Sequence, residues 1–489
     1  MGQTEGVNVA GIIDGHPDEA VALVAGDRTI TYGELRREVA GVQAGLAGLG
    51  LDVGDRVAIV AGNTVTFVLG WLAAARGGFV GVPLNPGSPR PELTRELAAV
   101  GARVVLGEVG DLDRAALPVL DHVLDASAVA ELATTEPVDA VDRSAEDLAV
   151  LMFTSGTAGS PRAAMLTHGN LLANLEQVQA SPGHRTRDGV ALAILPLFHI
   201  FGLNVVLGGT LSVGATVVLM ERFDADAALA LIAEHGVTDL TGPPTMWANL
   251  AAAPSAGPES LASVVRAASG AAALGAETHR AVRERLGIDL AEGYGLTETS
   301  PVVATGVGVD APVGSVGRVV PGVEVRIVDP DGDDTFLGDA GEILVRGDNV
   351  FVGYWNDPEA TRAVLTDDGW LHTGDIGFAD EHGHLYLSDR AKDLIIVSGF
   401  NVFPAEVEDV LVAADGVREA AVVGIPSDRT GEAVKAFVVL DDGVALTADQ
   451  LRDHTHGHLA RYKCPAEIEI VDELPHGPGG KLLRRSLRG

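Results

Sequence analysis

The sequence predicts an α/β protein with a large N-terminal domain, residues 1–389, of layered, mostly parallel sheets and helices, and a small α+β C-terminal domain, residues 390–489. Three observations lead to this prediction. Short apolar segments alternate with amphipathic helical patterns through the first two-thirds of the chain, which is typical of parallel sheets covered by helices. After Pro312 the pattern changes to short strands between glycine and aspartate turns, which predicts a small β-barrel within residues 311–389. Helical and strand-like patterns then return after Asp389.

The ends of individual elements support this organisation. A first helix is expected after Thr31, because Thr31 and Glu34 have the spacing of a capping box. The segments "DRVAIVAGN" and "VALAILPL" are short apolar runs, so we expect buried strands there. Asp224 precedes an apolar periodic run that stops at Gly236, which predicts a helix between these two residues.

The composition limits the partners and the location of the protein. Its 489 residues suffice for two or three domains, and 34 basic against 68 acidic residues give a formal net charge of −34. A field of that sign repels nucleic acid, so no nucleic-acid role is expected. No apolar run is clean enough to span a bilayer, and the N-terminus lacks a signal-peptide pattern. With Cys464 as the single cysteine, we expect a cytoplasmic monomer or homodimer, with at most peripheral membrane contact.

The segment from Leu151 to Asn170, "LMFTSGTAGSPRAAMLTHGN", is rich in glycines and hydroxyl groups. A strand is expected to end at Phe153 and a helix to begin near Thr167, which leaves the polar residues on the loop between them. Glycines allow backbone N–H groups to converge, hydroxyls add further donors, and Arg162 adds positive charge. This combination predicts a polyphosphate site, although its spacing is not that of a Walker loop.

Four further motifs follow this loop along the chain: "EGYGLTETSP", "GWLHTGD", "SDRAKDLIIVSGFNVFPAEVE" and "LPHGPGGKLLRRSLR". Together with the loop, they resemble the adenylate-forming superfamily of acyl- and aryl-CoA synthetases, firefly luciferase and peptide-synthetase adenylation domains. The resemblance spans nearly the whole chain. It implies a two-step reaction that uses ATP and Mg²⁺. A carboxylate attacks the α-phosphate to give an acyl-adenylate and pyrophosphate, and a thiol then displaces AMP.

The same resemblance implies a set of nucleotide-binding residues. The residues expected to surround the β- and γ-phosphates are Thr154, Ser155, Gly156, Thr157, Gly159 and Arg162. The residues expected at the adenine and the α-phosphate are Gly293, Tyr294, Gly295 and Thr297, with Tyr294 stacked on the base. The ribose ligands are expected to be Asp375 and Arg390, and Glu298 is the expected Mg²⁺ ligand, since a hard cation prefers carboxylate oxygen.

The C-terminal motifs carry three further expectations from the resemblance. Lys481 follows the flexible segment "GPGG", and its ammonium is expected to bridge the carboxylate and the α-phosphate. Such a cation lowers the electrostatic cost of one anion attacking another. Lys392 matches the family's hinge, about which a mobile C-terminal domain rotates between the two half-reactions. Gly399 is then expected to line the tunnel for the thiol.

The acid is predicted from the segment around "PLFHIFG". His199 lies where the family places a histidine beside the incoming carboxylate. No acidic residue occurs from Leu195 to Met220 to pair with the ammonium group of an amino acid, and the segment is apolar. Small side chains at Gly270, Ala271 and Ala272 leave room for an alkyl chain or a ring. A medium- or long-chain fatty acid is therefore expected, with an aryl acid such as coumarate or benzoate as the alternative.

Coenzyme A is the expected thiol. The chain ends soon after Lys481 without a carrier domain, and the stretch from Gly341 to Asp389 is compact, without the insertion that carrier-loading relatives often have. Other readings of these motifs are an acyl-AMP ligase that loads an acyl carrier protein, a luciferase-like oxygenase and a non-catalytic nucleotide sensor.

Overall fold

The layered α/β architecture expected from the sequence is confirmed by the computed structural model of the chain. The structure describes residues 7–110, 112–154, 162–272, 274, 276–329, 331–388, 395–398, 400–402, 404–427, 429–441, 443–474 and 487.

The strands make up four sheets. In chain order they are β1 (Val21–Ala25), β2 (Arg28–Thr31), β3 (Arg56–Val60), β4 (Val80–Leu84), β5 (Val104–Gly107), β6 (His122–Leu124), β7 (Leu148–Thr154), β8 (Arg162–Thr167), β9 (Val190–Ala193), β10 (Thr216–Leu219), β11 (Asp239–Gly242), β12 (Arg266–Ser269), β13 (Ala291–Gly295), β14 (Val302–Thr305), β15 (Arg318–Val319), β16 (Val323–Val328), β17 (Gly341–Gly347), β18 (Leu371–Ala379), β19 (Leu385–Ser388), β20 (Ile395–Val397), β21 (Phe400–Val402), β22 (Val417–Ser427), β23 (Gly431–Leu440) and β24 (Glu467–Ile470).

Helices connect and cover these strands. In chain order they are α1 (Tyr32–Gly48), α2 (Val65–Arg76), α3 (Arg90–Val100), α4 (Ala126–Leu132), α5 (His168–Gln179), α6 (Gly209–Leu211), α7 (Ala225–His235), α8 (Pro244–Ala252), α9 (Ala276–Leu286), α10 (Pro358–Val364), α11 (Pro404–Val412) and α12 (Ala448–His458). A π-helical segment, Phe201–Gly208, precedes α6, and short 3₁₀ turns occur at Val9–Ile13, Arg114–Ala116 and Thr297–Thr299.

Two large sheets form the N-terminal part of the fold. One has the order β15-β14-β13-β12-β11-β9-β10-β1-β2, and the other has the order β6-β5-β3-β4-β7-β8. The interior pairs of both sheets are parallel, and the antiparallel pairs lie at the edges, at β1–β2, β13–β14, β14–β15 and β7–β8. Helix α2 belongs to the core shared by the sheets, and its Phe67 and Trp71 have no exposed surface. This burial explains why its sequence is apolar on every face.

Local signals in the sequence account for several element ends. Thr31 and Glu34 form both hydrogen bonds of the expected capping box. The side chain of Asp224 caps α7, and Gly236 ends it with a φ of 60°, in the left-handed region that glycine adopts easily. Thr167 caps α5 as expected. The sequence predicts a continuous loop after β7, but the structure has strand β8 there. This short strand pairs with β7 at the edge of the sheet, and the pairing satisfies its backbone groups.

The later part of the chain forms two smaller sheets. Strands β16 to β19 make a four-stranded antiparallel sheet in the region where the sequence predicts a barrel. Strands β20 to β24 form the last sheet, with α11 and α12 packed in its core. Within the described residues, no helix combines the length and the apolar character needed to cross a membrane.

Candidate active site

A cavity of about 420 Å³ lies where strands of both large sheets end. Leu84 at the end of β4 and Thr154 at the end of β7 line it from one sheet, while Gly270 after β12 and Gly295 at the end of β13 line it from the other. Open α/β sheets generally bind ligands outside the carboxyl ends of their strands. The topology therefore places this cavity where a substrate site is expected.

The first end of the cavity is built around a tyrosine and an aspartate, and we call it the nucleotide end. Tyr294 lies on β13, is 5 % exposed, and donates a hydrogen bond from its hydroxyl to Asp375 Oδ2 over 2.8 Å. Asp375 lies on β18, and its own N–H donates to Thr373 Oγ1 over 3.0 Å. The hydrogen bond fixes the ring and the carboxylate relative to each other, so a base and its sugar can be bound together.

Glu298 is a partly buried carboxylate beside this pair. The hydroxyl of Tyr354 donates to Glu298 Oε1 over 2.7 Å, and burial raises the pKa of Glu298 above its ordinary value. Arg162 lies over the ring of Tyr354 at 5.6 Å and forms an ion pair with Asp357 over 3.3 Å. None of the ion pairs among the described residues includes Glu298. A partly buried carboxylate that lines the cavity and has no cationic partner among these ion pairs fits a site for a divalent cation.

Asparagine side chains hold the turn that carries Thr297 and Glu298. Asn349 donates from Nδ2 to the carbonyl of Thr299 over 2.8 Å, and Asn204 donates to the carbonyl of Ser300 over 2.7 Å. Both asparagines are buried, with 0 % and 1 % exposure. The sequence analysis missed them because they lie far from the motif along the chain and belong to no motif themselves.

His199 lines the cavity as a neutral imidazole. The N–H of Phe201 donates to His199 Nδ1 over 3.2 Å, so the ring proton belongs on Nε2, and burial lowers the pKa of His199 to about 4. Asn63 fixes the segment before it, because its side chain donates to the carbonyls of Ala193 and Leu195 and accepts from the N–H of Leu197. Asn63 is therefore a third positioning residue, after Asn349 and Asn204, that could not be identified from the sequence.

The opposite end of the cavity, which we call the acyl end, is partly apolar. Val178, Val205 and Phe201 line it, and Gly270 lies so close to Phe201 that an added Cβ would meet its Cζ at 2.9 Å. The expected apolar wall is thus present on this side.

A charged cluster, which the sequence did not predict, also lines the acyl end. Arg185 and Arg266 line the cavity, and both pair with Asp239, Arg185 Nε at 3.0 Å and Arg266 Nη1 at 2.7 Å from Oδ2. Asp239 begins β11 and Arg266 begins β12, so the parallel pairing of these strands brings the two residues opposite each other. The sequence analysis searched only the segment after Leu195 for charged residues and therefore missed this cluster.

Residues from the last part of the chain close the remaining side of the cavity. Phe400 and Tyr462 stack with ring centroids 4.4 Å apart, and both line the cavity with Lys463. Lys463 donates to Glu92 on α3 over 2.7 Å and to Glu406 on α11 over 2.8 Å, with all three side chains buried. This contact fixes α11 and the segment that carries Lys463 against the N-terminal part.

The cavity brings together most of the described residues that the sequence predicts for the site. Those that line it are Thr154, Arg162, His199, Gly270, Ala271, Gly293, Tyr294, Gly295, Thr297, Glu298 and Asp375. Ala272 is described but does not belong to this lining. The predicted residues outside the described part are Ser155, Gly156, Thr157, Gly159, Arg390, Lys392, Gly399 and Lys481. Their roles stay predictions.

Comparison with known proteins identifies close relatives along the whole chain. The AMP-binding enzyme profile matches residues 12–355, and the AMP-binding enzyme C-terminal domain matches residues 406–481. The chain is 36 % identical over 480 residues to 4-coumarate–CoA ligase 3 of Oryza sativa subsp. japonica, covering 94 % of this chain and 86 % of the relative. It is 38 % identical over 502 residues to 3-[(3aS,4S,7aS)-7a-methyl-1,5-dioxo-octahydro-1H-inden-4-yl]propanoyl:CoA ligase of Mycobacterium tuberculosis, covering 96 % of both.

One solved structure is also similar to this chain over nearly its whole length. A double mutant of o-succinylbenzoate CoA synthetase from Bacillus subtilis, bound to a product analogue, superposes with a TM-score of 0.90 at 31 % identity, covering 99 % of this chain and 98 % of that one.

Proposed function

The chain belongs to the AMP-binding enzyme family and is an AMP-forming acid–CoA ligase, and we propose that its acid is a compact carboxylic acid that carries a ring. The reaction has two steps. A carboxylate oxygen attacks the α-phosphorus of ATP and pyrophosphate leaves, which gives the acyl-adenylate. The thiol of coenzyme A then attacks the acyl carbon, a thioester forms, and AMP leaves.

The nucleotide end suits the first step. Tyr294 would stack on adenine, while Asp375, held by the Tyr294 hydroxyl at 2.8 Å, would accept hydrogen bonds from the ribose. Glu298 would hold Mg²⁺, which neutralises phosphate charge when it is bound. The Nε2–H of neutral His199 would donate to the incoming carboxylate, since Nδ1 already accepts from Phe201. Lys481 keeps its predicted role as the bridging cation.

The charged cluster at the acyl end is the observation that supports a compact acid. A long alkyl chain that filled this end would place its terminal methyl group against Arg185 and Arg266, whose donors it could not satisfy. A ring fits between the apolar residues Phe201, Val178 and Val205, which line the path to the cluster. The two curated relatives described above are also named for acids with rings.

The medium- or long-chain fatty acid is the second candidate. Its support is the apolar segment that begins at His199 and the small side chains at Gly270 and Ala271. An acyl carrier protein as thiol acceptor is a weaker candidate, because the curated relatives compared here are CoA ligases by name. The cytoplasmic location and the monomeric or homodimeric state stay predictions from the sequence.

The test measures pyrophosphate release and thioester formation with ATP, Mg²⁺ and a panel of acids, with and without coenzyme A. The panel runs from acetate through octanoate and palmitate to benzoate, cinnamate and coumarate. We expect kcat/KM to be highest for the ring-bearing acids and a CoA thioester to form from them. A maximum at octanoate or palmitate would instead establish the fatty-acid reading. No release with any acid would contradict the ligase function.

A further inference from the structure

The charged cluster of Arg185, Asp239 and Arg266 has more positive than negative charge. Two guanidinium groups share one carboxylate, which leaves a net charge of about +1 at the closed end of the cavity. Arg185 is 7 % and Asp239 is 6 % exposed, so water cannot screen this charge fully. A buried excess charge normally has a partner, and none of the ion pairs in the described part of the chain supplies one.

Arg266 also has a hydrogen-bond donor without an acceptor. Its Nε atom is buried and has no hydrogen-bond partner among the described residues. Arg266 is the first residue of β12 and lines the cavity. Burial, and then the neighbouring Arg185, lowers the pKa of Arg266 to about 10, so its charged form is held at a cost. Unsatisfied buried donors are rare in folded proteins and call for an acceptor.

The position of Arg266 fixes which part of the acid it can reach. Arg266 begins β12, and Gly270 follows the end of this strand, where the acyl end borders Gly293 of the nucleotide end. Four residue steps along the strand separate Arg266 from Gly270, about 13 Å at the usual rise of a β-strand. The carboxylate of the acid must lie near His199 and the nucleotide, so a group that meets Arg266 lies at the far end of the acid.

We propose that Arg266, together with Arg185, selects acids that carry an oxygen acceptor, above all a second carboxylate, at the end remote from the reacting carboxyl group. The inference rests on the proposed function and names the substrate class more closely. An anionic group would neutralise the excess charge of the cluster and accept a hydrogen bond from Arg266 Nε. Arg266 is thus a specificity-determining residue, remote from the atoms that react.

A matched series of acids tests this in the wild-type enzyme. Cinnamate, 4-methylcinnamate, 4-hydroxycinnamate and 4-carboxycinnamate share one framework and differ in the group that would meet Arg266. We expect kcat/KM for the carboxy acid to exceed that for cinnamate by about tenfold or more, with the hydroxy acid between them and the methyl acid lowest, because a site built to hydrogen-bond a group rejects analogues that lack it. Equal kcat/KM values across the series would overturn the proposal.

Variants separate selection from a structural role. The ratio to follow is kcat/KM for 4-carboxycinnamate divided by kcat/KM for cinnamate. Arg266→Met should reduce this ratio to about one or below, and Arg266→Lys should restore part of it. Arg346→Met is the matched control, since Arg346 also pairs with a carboxylate, Glu324, but its side chain is 38 % exposed and does not line the cavity. In Arg346→Met, the ratio of kcat/KM for 4-carboxycinnamate to that for cinnamate should equal the wild-type ratio. If Arg266→Met lowers kcat/KM by the same factor for all four acids, Arg266 does not determine specificity and the proposal is overturned.

A replacement variant and a second readout, thioester formation, keep the experiment decisive. If Arg266→Met does not fold, as judged by its circular dichroism and Tm, Arg266→Lys replaces it and should lower the ratio about threefold to tenfold, because an ammonium keeps the charge but lacks the Nε donor and the planar geometry of the guanidinium. An unchanged ratio in Arg266→Lys, with Arg266→Met unfolded, would overturn the proposal. Thioester formation from every acid without discrimination would reject this inference alone, whereas the absence of any thioester would reject the proposed function.

Discussion

The nucleotide end and the acyl end of the cavity are assembled in different ways. Tyr294 and Glu298 come from one short segment, and each has a hydrogen-bonded partner already in place. Arg185, Asp239 and Arg266 come from three separate segments and keep donors without acceptors. The comparison teaches that the described residues of the end performing the chemistry are already paired with one another, whereas the end that selects the acid would be completed by the acid itself.

The largest effect is expected from removing the carboxylate at the nucleotide end. Glu298→Gln should lower kcat for pyrophosphate release about 10²-fold or more, because it removes the charge that would hold the cation beside the phosphates. The Tm should stay the same or rise, since burial disfavours the ionised carboxylate and an amide oxygen can still accept from Tyr354.

Glu324→Gln is the matched control, because Glu324 pairs with Arg346 on an exposed surface. It should leave kcat unchanged. Two results would contradict the assignment of the reaction to the nucleotide end. One is a Glu298→Gln enzyme with wild-type kcat, and the other is a loss of kcat that is explained by a lower Tm of the variant.

A smaller effect at the same end is expected from the partner of Glu298. Tyr354→Phe removes the hydrogen bond of 2.7 Å to Glu298 Oε1 without removing the ring on which Arg162 lies. Residues that orient a metal ligand typically contribute 10- to 100-fold, so we expect the concentration of Mg²⁺ for half-maximal activity to rise about tenfold. Magnesium titration of initial rates measures it. A lower kcat with an unchanged Mg²⁺ dependence would contradict this role.

The acyl end should respond selectively to the size of the acid. In Gly270→Ala the new Cβ would meet Phe201 Cζ at 2.9 Å, so the ring must move into the acyl pocket. We expect kcat/KM for cinnamate to fall about tenfold and that for acetate to change less than twofold, as one methylene in a pocket changes specificity by this order. Gly48→Ala is the control, because a Cβ there meets no atom within 4 Å. Equal losses for both acids would contradict a separate acyl end.

The smallest effect concerns the contact between α3 and the C-terminal residues. Burial and the neighbouring Glu92 raise the pKa of Glu96 to about 8, while Lys463 and Arg95 oppose the shift and Glu406 adds to it. Glu96 therefore holds a proton in the packed structure at a pH where it is ionised when exposed. Between pH 4.5 and 8 this contribution to stability falls as pH rises, and above pH 8 it levels off.

Glu96→Gln tests that contribution. The variant should show a smaller decline in Tm between pH 5 and 8 than the wild type, because its neutral amide cannot ionise. Glu324→Gln, with an exposed carboxylate, should keep the wild-type slope. The same pH slope in Glu96→Gln and in the wild type would show that Glu96 is not the group responsible.

The contrast between residues that come from one short segment and residues that come from separate segments also explains what the sequence could predict. The alternation of apolar and amphipathic segments predicts the two large sheets, and caps such as Thr31 and Asp224 locate helix starts, because both signals are local. Strand β8 was not predicted, since its stability comes from pairing with β7 rather than from its own composition.

In the cavity, motif residues such as Tyr294 and Asp375 could be predicted, although their mutual hydrogen bond could not. Asn63 and the arginine cluster could not be predicted at all. Nothing in the segment around Asn63 indicates that it bonds three backbone groups of the loop before His199, and Arg185 reads as a polar turn residue until β11 and β12 pair. Such roles arise from contacts distant in sequence, so a single sequence carries no signal for them.

The central claim is that one cavity joins a nucleotide end to an acyl end that accepts a compact, ring-bearing acid. Mass spectrometry of the CoA thioesters formed when cinnamate, 4-carboxycinnamate, octanoate and palmitate compete in one reaction with ATP, Mg²⁺ and coenzyme A tests it most directly. The account predicts that cinnamoyl-type thioesters predominate and that 4-carboxycinnamoyl-CoA is the most abundant. Predominance of palmitoyl- or octanoyl-CoA would contradict it.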